Sequence, residues 1–204
     1  MMTEEVRIVA GIDEKYVNDA LRLAYDAFAK KFRIGFRDAD DLVRLFHDSV
    51  DPTSCISAVV TGQFAGILTY QTASQEFYHL NPAAIFTRFL PWRAMRMLLN
   101  LMLLADEPKP DDFVVDSLAV AESCRGMGVG TALLQQAEER ARAMGKRTMS
   151  LGVIAENDGA IRLYERQGYD TTRKWHGFFV RLAFGSAEVL RMEKPLVADP
   201  QSHG

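Results

Sequence analysis

The chain has 204 residues, 48% hydrophobic and 25% charged, a balance that excludes a disordered or fibrous chain and gives enough apolar material for one buried core. A net charge of −3 argues against a dedicated nucleic-acid binder, and two cysteines are too few for a disulfide framework or a cysteine metal site. The acidic start MMTEEVRIVA is unlike a secretory signal, and the most apolar run, MLLNLMLLA (97–105), is too short to span a bilayer, so a cytoplasmic protein is expected.

In chain order, VRIVA (6–10) reads as a strand. YVNDALRLAYDAF (16–28) reads as a helix with Val17, Ala20, Leu21, Ala24 and Phe28 on one face and Asp13 as its N-cap. A second helix is expected over 38–50, stopped at Asp51-Pro52 because the residue before proline disfavours helical geometry. CISAVVTGQFAGILTY (55–70) reads as a hairpin turning at Thr61-Gly62-Gln63. Residues 74–110 form a less regular insert, with one or two helices, the second over Trp92 to Ala105. The β-branched run 111–120 is a strand, followed by a helix with Val129, Leu133, Leu134, Ala137 and Ala141 on one face and Gly145 at its end. A strand (147–155), a short helix closed by Gly168 and two tail strands complete one domain over 1–204, with 197–204 expected to be disordered.

The segment ESCRGMGVGTALL (122–134) places three glycines at alternate positions between a strand and an amphipathic helix. The first turn of a helix leaves its N–H groups without partners, and the helix dipole adds partial positive charge there. Glycines on the approach let an anion reach that backbone, and Arg125 adds a formal charge, so the segment reads as a phosphate or pyrophosphate cradle. A Walker loop would need a lysine after its last glycine, where Thr131 stands, and the dinucleotide pattern fails on glycine spacing. The pattern Q/R-x-x-G-x-G/A, which holds acyl-CoA, is satisfied.

With these residues the chain resembles the GCN5-related N-acetyltransferases (GNAT). VDSLAVAESCRGMGVGTALLQQAEERARAMG resembles the family's strand, pyrophosphate loop and helix, and LGVIAENDGAIRLYERQGYD its next strand and helix. VVTGQFAGILTY and AEVLRMEKPL resemble its early hairpin and last strand, whereas 74–110 has no counterpart; Ala121 stands where the family often has proline. The resemblance implies an α/β (α+β) domain with a mixed, mainly antiparallel, twisted sheet of about seven strands flanked by helices. It implies acetyl-CoA as co-substrate, no metal, and direct acetyl transfer to an amine. The preferred acceptor is a small-molecule amine. The alternatives are a protein N-terminus or lysine, or a non-catalytic acyl-CoA-binding module. A homodimer is a family-level expectation.

Site residues follow. The resemblance implies that the N–H groups of Gly126, Met127, Gly128, Val129, Gly130 and Thr131, with Arg125, hold the CoA pyrophosphate. The strand Leu118-Ala119-Val120 would take the pantetheine arm and aim an N–H at the thioester carbonyl, a donor placed where charge develops. Asn157 would bind the same arm, alongside a plain role as helix N-cap. Asn157 and Tyr164 are seven residues apart, about two helical turns, and so face the same side. A phenol with a pKa of about 10 is suited to protonate a departing thiolate of about 8.5, so Tyr164 is the expected general acid; a half-buried aromatic is its bland alternative. Asp116, two residues before Leu118 and expected to face the same way, is the candidate base or the residue leading to it, with a solvated polar role equally open. Glu76 and His79 are weaker candidates. In the insert, Phe77, Tyr78, Phe86, Phe89 and Trp92 either add core or a dimer surface, or wall an apolar acceptor pocket.

Overall fold

A computed structural model describes residues 6–28, 36–79, 82–92, 94–95, 108–177, 186 and 188–196. Its elements are β1 (Val6–Ala10), α1 (Val17–Ala27), α2 (Ala39–Phe46), β2 (Cys55–Val60), β3 (Gln63–Thr72), β4 (Gln75–Glu76) and α3 (Pro82–Arg88). They continue as β5 (Asp112–Val120), α4 (Val129–Ala143), β6 (Thr148–Ile154), α5 (Asp158–Arg166), β7 (Asp170–His176) and β8 (Glu188–Pro195). The strands form one eight-stranded sheet in the order β1-β2-β3-β5-β6-β8-β7, with β4 paired to β3. Among the described strands only β5 and β6 pair in parallel, and the other strand pairs are antiparallel. Parallel neighbours need a long crossover, and α4 supplies it. This is the mixed, mainly antiparallel sheet that the sequence implies.

Local chemistry sets the element ends. Asp13 accepts a hydrogen bond from Lys15 N and caps a single 3-10 turn that leads into α1, rather than α1 itself. Asp38 caps α2 by accepting from Asp41 N at 2.9 Å. That helix ends at Phe46 and a 3-10 turn fills His47–Ser49, so the helix expected over 38–50 stops four residues early. Thr61 and Gly62, at φ 49° and 81°, make the left-handed turn that suits a tight hairpin. The helix expected over Trp92 to Ala105 and the tail 197–204 fall mostly or wholly outside the described residues.

Both sheet faces are covered. On one, Leu133, Leu134, Ala137 and Ala141 of α4 pack on Leu68, Tyr70, Phe113 and Met149. On the other, Leu21 of α1, Leu42 and Phe46 of α2 and Ile85 of α3 pack on Cys55, Ile67 and Ala119. Each fully buried leucine or phenylalanine contributes about 1.5–3 kcal/mol. Gly66 sets how closely α4 approaches: a Cβ there would lie 2.9 Å from Ala119 O and 3.3 Å from Leu133 Cδ1.

The sheet opens between β5 and β6. Their pairing runs from Asp112↔Thr148 to Val115↔Leu151 and stops. Beyond it, Gly152 to Ile154 pair only with β8, and the later part of β5 pairs only with β3. The β3–β5 register also shifts there, with Thr69 opposite Ser117 and Tyr70 opposite Val115. Asp116 is therefore the extra residue of a β-bulge, at the point where the two parallel strands part.

Candidate active site

The glycine loop leads directly into α4. After β5 the chain makes one 3-10 turn (Glu122–Cys124) and passes Gly126 and Gly128, both at φ 81°. A Cβ at either would meet nothing within 4 Å, so backbone conformation, not crowding, demands glycine there. Gly130 differs: its Cβ would lie 3.3 Å from Leu163 Cδ2, so this glycine brings α4 close to α5. The resulting loop leaves the N–H groups of Gly126, Gly128, Val129, Gly130 and Thr131 without acceptors among the described residues, while that of Met127 reaches Cys124 O at a long 3.4 Å. α2 and α5 carry side-chain caps, but α4 has none and no acidic residue in its first turn. Arg125 is exposed beside these donors, its Nε 3.4 Å from Val120 O. Open donors, a helix N-terminus and a guanidinium together form a seat for an anion.

On the same sheet face, Leu118 and Val120 are half-buried against the core that contains Tyr164. Ala119 is buried on the opposite face. Tyr164 is 8% exposed, and burial pushes its phenol up to about 12. Its hydroxyl makes no hydrogen bond among the described residues, and its ring neighbour is Tyr169, 6.0 Å away between centroids. Asn157 caps α5, its Oδ1 accepting from Ala160 N at 3.2 Å. Val129 at the end of the loop, Leu118 and Val120 of β5 and Tyr164 of α5 thus pack in one core on the α4 side, with Asn157 at the start of α5.

Asp116 does not join them, which corrects the alternation argument. The bulge breaks the period of two, so Asp116 does not share the face of Leu118. Its Oδ2 lies 3.5 Å from Thr69 Oγ1, and Thr69 Oγ1 lies 2.7 Å from Ser117 Oγ, on the face covered by α1 and α2. Glu76 and His79 pair with each other at 3.4 Å, both more than half exposed at 54% and 55%. The insert aromatics divide: Phe77 and Phe89 are core, Phe86 and Trp92 face outward at 44% and 58% exposure. Thr69 and Ser117 escaped the sequence reading. Two hydroxyls inside otherwise apolar strands, in ILTYQ and VVDSLAV, were the available signal.

A profile of the acetyltransferase (GNAT) family matches residues 21–169, which take in the latter part of α1, the hairpin, β5, the glycine loop, α4 and Tyr164. The chain belongs to the acetyltransferase (GNAT) family. Acetyl-CoA is the acyl donor of GNAT enzymes, and the uncapped donors beside Arg125 fit its pyrophosphate. Among curated relatives, the N-acetyltransferase YdgE of Bacillus subtilis, itself uncharacterised, is 38% identical over 74 residues, which is 35% of this chain and 46% of YdgE. The chain therefore spans less than half the length of that relative. Among solved structures, Ard1 from Thermoplasma volcanium superposes with a TM-score of 0.59 at 17% identity, covering 94% of this chain and 98% of Ard1. A Bacillus subtilis acetyltransferase in complex with CoA gives 0.57 at 16% identity, covering 96% and 100%. These two likenesses are of fold. Among the described residues no helix is long and apolar enough to cross a membrane, and no metal-ligating cluster is present.

Proposed function

We propose that the protein transfers the acetyl group of acetyl-CoA directly to the amine of a small molecule, with both substrates bound together. The observation that carries this reading is the opening between β5 and β6, with anion donors and an unengaged, buried phenol on one face and a carboxylate on the other. Bound acetyl-CoA supplies an activated acetyl thioester. The N–H groups of 126–131 and Arg125 hold its pyrophosphate. The free edge of β5, at Leu118, Ala119 and Val120, aligns the pantetheine arm as an added strand would and aims an N–H at the thioester carbonyl. Asn157 supports the arm from α5. Tyr164 donates its proton to the departing sulfur, and with its phenol held to about 12 it stays protonated throughout the working range.

Asp116 faces the acceptor from the opposite side of the sheet, where it takes up the proton or the charge of the incoming ammonium. Two bodies approaching through one opening from opposite faces need no covalent enzyme intermediate. The free thiols Cys55 and Cys124 support a reducing, cytoplasmic setting. A non-catalytic acyl-CoA-binding module would share the glycine loop but has no use for Tyr164. Incubation with acetyl-CoA and a panel of small amines, followed by mass spectrometry of the amines, tests the proposal. Acetylated amine is the expected result. CoA binding with no acetylated product from any amine would favour the binding module.

A further inference from the structure

Gly152 is the first residue of β6 beyond the last β5–β6 pair, Val115↔Leu151, and it lies inside the sheet with β8 on its other side. Its neighbours Leu151 and Val153 belong to the core under α4, so the period of two turns Gly152 to the opposite face. There it is exposed, whereas Leu151 and Val153 are only 3% and 6% exposed.

A glycine inside a strand weakens it, and three circumstances call for one: a left-handed backbone, crowding by the protein, or close approach of something else. The first two fail here. Gly152 is not among the glycines with positive φ, and a Cβ there would meet Val189 Cγ1 at an ordinary 3.9 Å and nothing nearer among the described residues. Gly66 and Gly130, by contrast, are each crowded by a neighbour at 3.3 Å or less.

The side chains around Gly152 define the room above it. Arg191 stands opposite on β8, but its Nε donates to Glu193 Oε1 at 2.7 Å and its Nη2 to Ser150 Oγ at 3.1 Å. Ser150 and Glu193 form the register pair two residues nearer the start of β6, so the guanidinium is drawn away from Gly152 to that side. On the other side stand Ile154 and Val189, themselves a register pair and both aliphatic. The exposed glycine thus has a tied ion pair at one border and an apolar edge at the other.

We propose that Gly152 is a specificity-determining residue: its missing side chain leaves the room through which the body of the acceptor amine passes, and the apolar edge selects amines that carry a bulky apolar group. This rests on the amine-acetylation reading above and adds the class of amine to it. Gly152 offers the reaction no functional group and acts by volume alone.

The test compares phenethylamine with ethylamine as acceptors, using the full chain and its Gly152→Ala and Gly152→Val variants. Both amines are ammonium ions at neutral pH and differ only in the aromatic body. The parent should prefer phenethylamine by kcat/KM. That preference should fall from glycine to alanine to valine, by about tenfold or more at valine, since each added carbon takes volume from an apolar site. CoA affinity, read by calorimetry, should be retained. Thermal melts of both variants should be no lower than the parent's, because a strand with space for a side chain gains from having one. Lowered melts, or variants that fail to fold, would mean that the protein itself needs the glycine and would overturn the proposal. So would an unchanged preference, loss of CoA binding in the variants, or a parent that acetylates ethylamine as readily as phenethylamine. A parent that binds CoA and acetylates neither amine would overturn the amine reading, and this proposal with it.

Discussion

Tyr164 combines burial with an unused hydroxyl, and that combination gives it a distinct pH signature. Tyr164→Phe should lower turnover about 100-fold or more while CoA affinity survives, since only the donated proton is lost; steady-state rates beside a CoA titration measure both. In the unfolded chain this phenol ionises near pH 10, whereas the folded protein holds its proton to about 12. Between those values the folded state binds more protons. Its contribution is complete below about pH 10 and is lost as pH rises toward 12. Tyr164→Phe should therefore flatten the alkaline loss of stability by up to about 2–3 kcal/mol, read from urea midpoints across that window. Parallel curves for the two proteins would contradict the assignment. The spacing of Asn157 and Tyr164 was legible in the sequence because two residues seven apart on one helix are a one-dimensional pattern. The facing of Asp116 was not, because a bulge depends on register with β3, which no stretch of β5 encodes alone.

At the scale of elements, the N-terminus of α4 separates two kinds of glycine. Gly128→Ala forces a Cβ into left-handed backbone at about 1–2 kcal/mol and so disfavours the loop conformation that leaves the donors open, and CoA should bind at least about tenfold more weakly. Gly130→Ala meets the movable end of Leu163 at 3.3 Å and Val120 Cγ2 at an ordinary 3.8 Å, and should cost less in both stability and CoA binding. Calorimetric titration of both variants with CoA compares them; equal losses would mean that the loop conformation is not what holds the anion. α4 is anchored at its other end by Glu138, which accepts from Lys194 of β8 and from Arg142. Burial alone would raise this carboxyl, but those two hydrogen bonds and charges outweigh it and hold it below the usual range. Its stabilisation is present at neutral pH and is lost as pH falls through the lowered value, so Glu138→Gln should be destabilised at pH 7 and indistinguishable from the parent in strong acid. The periodicity of α4 and its terminal glycine exposed this helix to sequence reading. The early end of α2 was hidden, since Asp51 folds back onto Thr53 and Ser54, and that turn competes with further helix.

For the whole molecule, the decisive feature is a sheet covered on both faces yet open along one line between β5 and β6. The family pattern made β5, the glycine loop, α4 and α5 readable, because they lie within one continuous stretch, 112–169. The bulge of β5 and the middle of β3 are far apart in sequence, so only the fold brings Thr69, Ser117 and Asp116 together. Since CoA would bind the folded state alone, it should stabilise the protein by about 2.7 kcal/mol at a hundredfold excess over its Kd. The most direct test of two substrates meeting across the sheet is rapid measurement of free thiol after mixing enzyme with acetyl-CoA, with and without amine. Thiol should appear only when amine is present, without a burst and with rates that depend jointly on both substrates. A burst equal to the enzyme concentration in the absence of amine, or no amine-dependent thiol while CoA still binds, would contradict it.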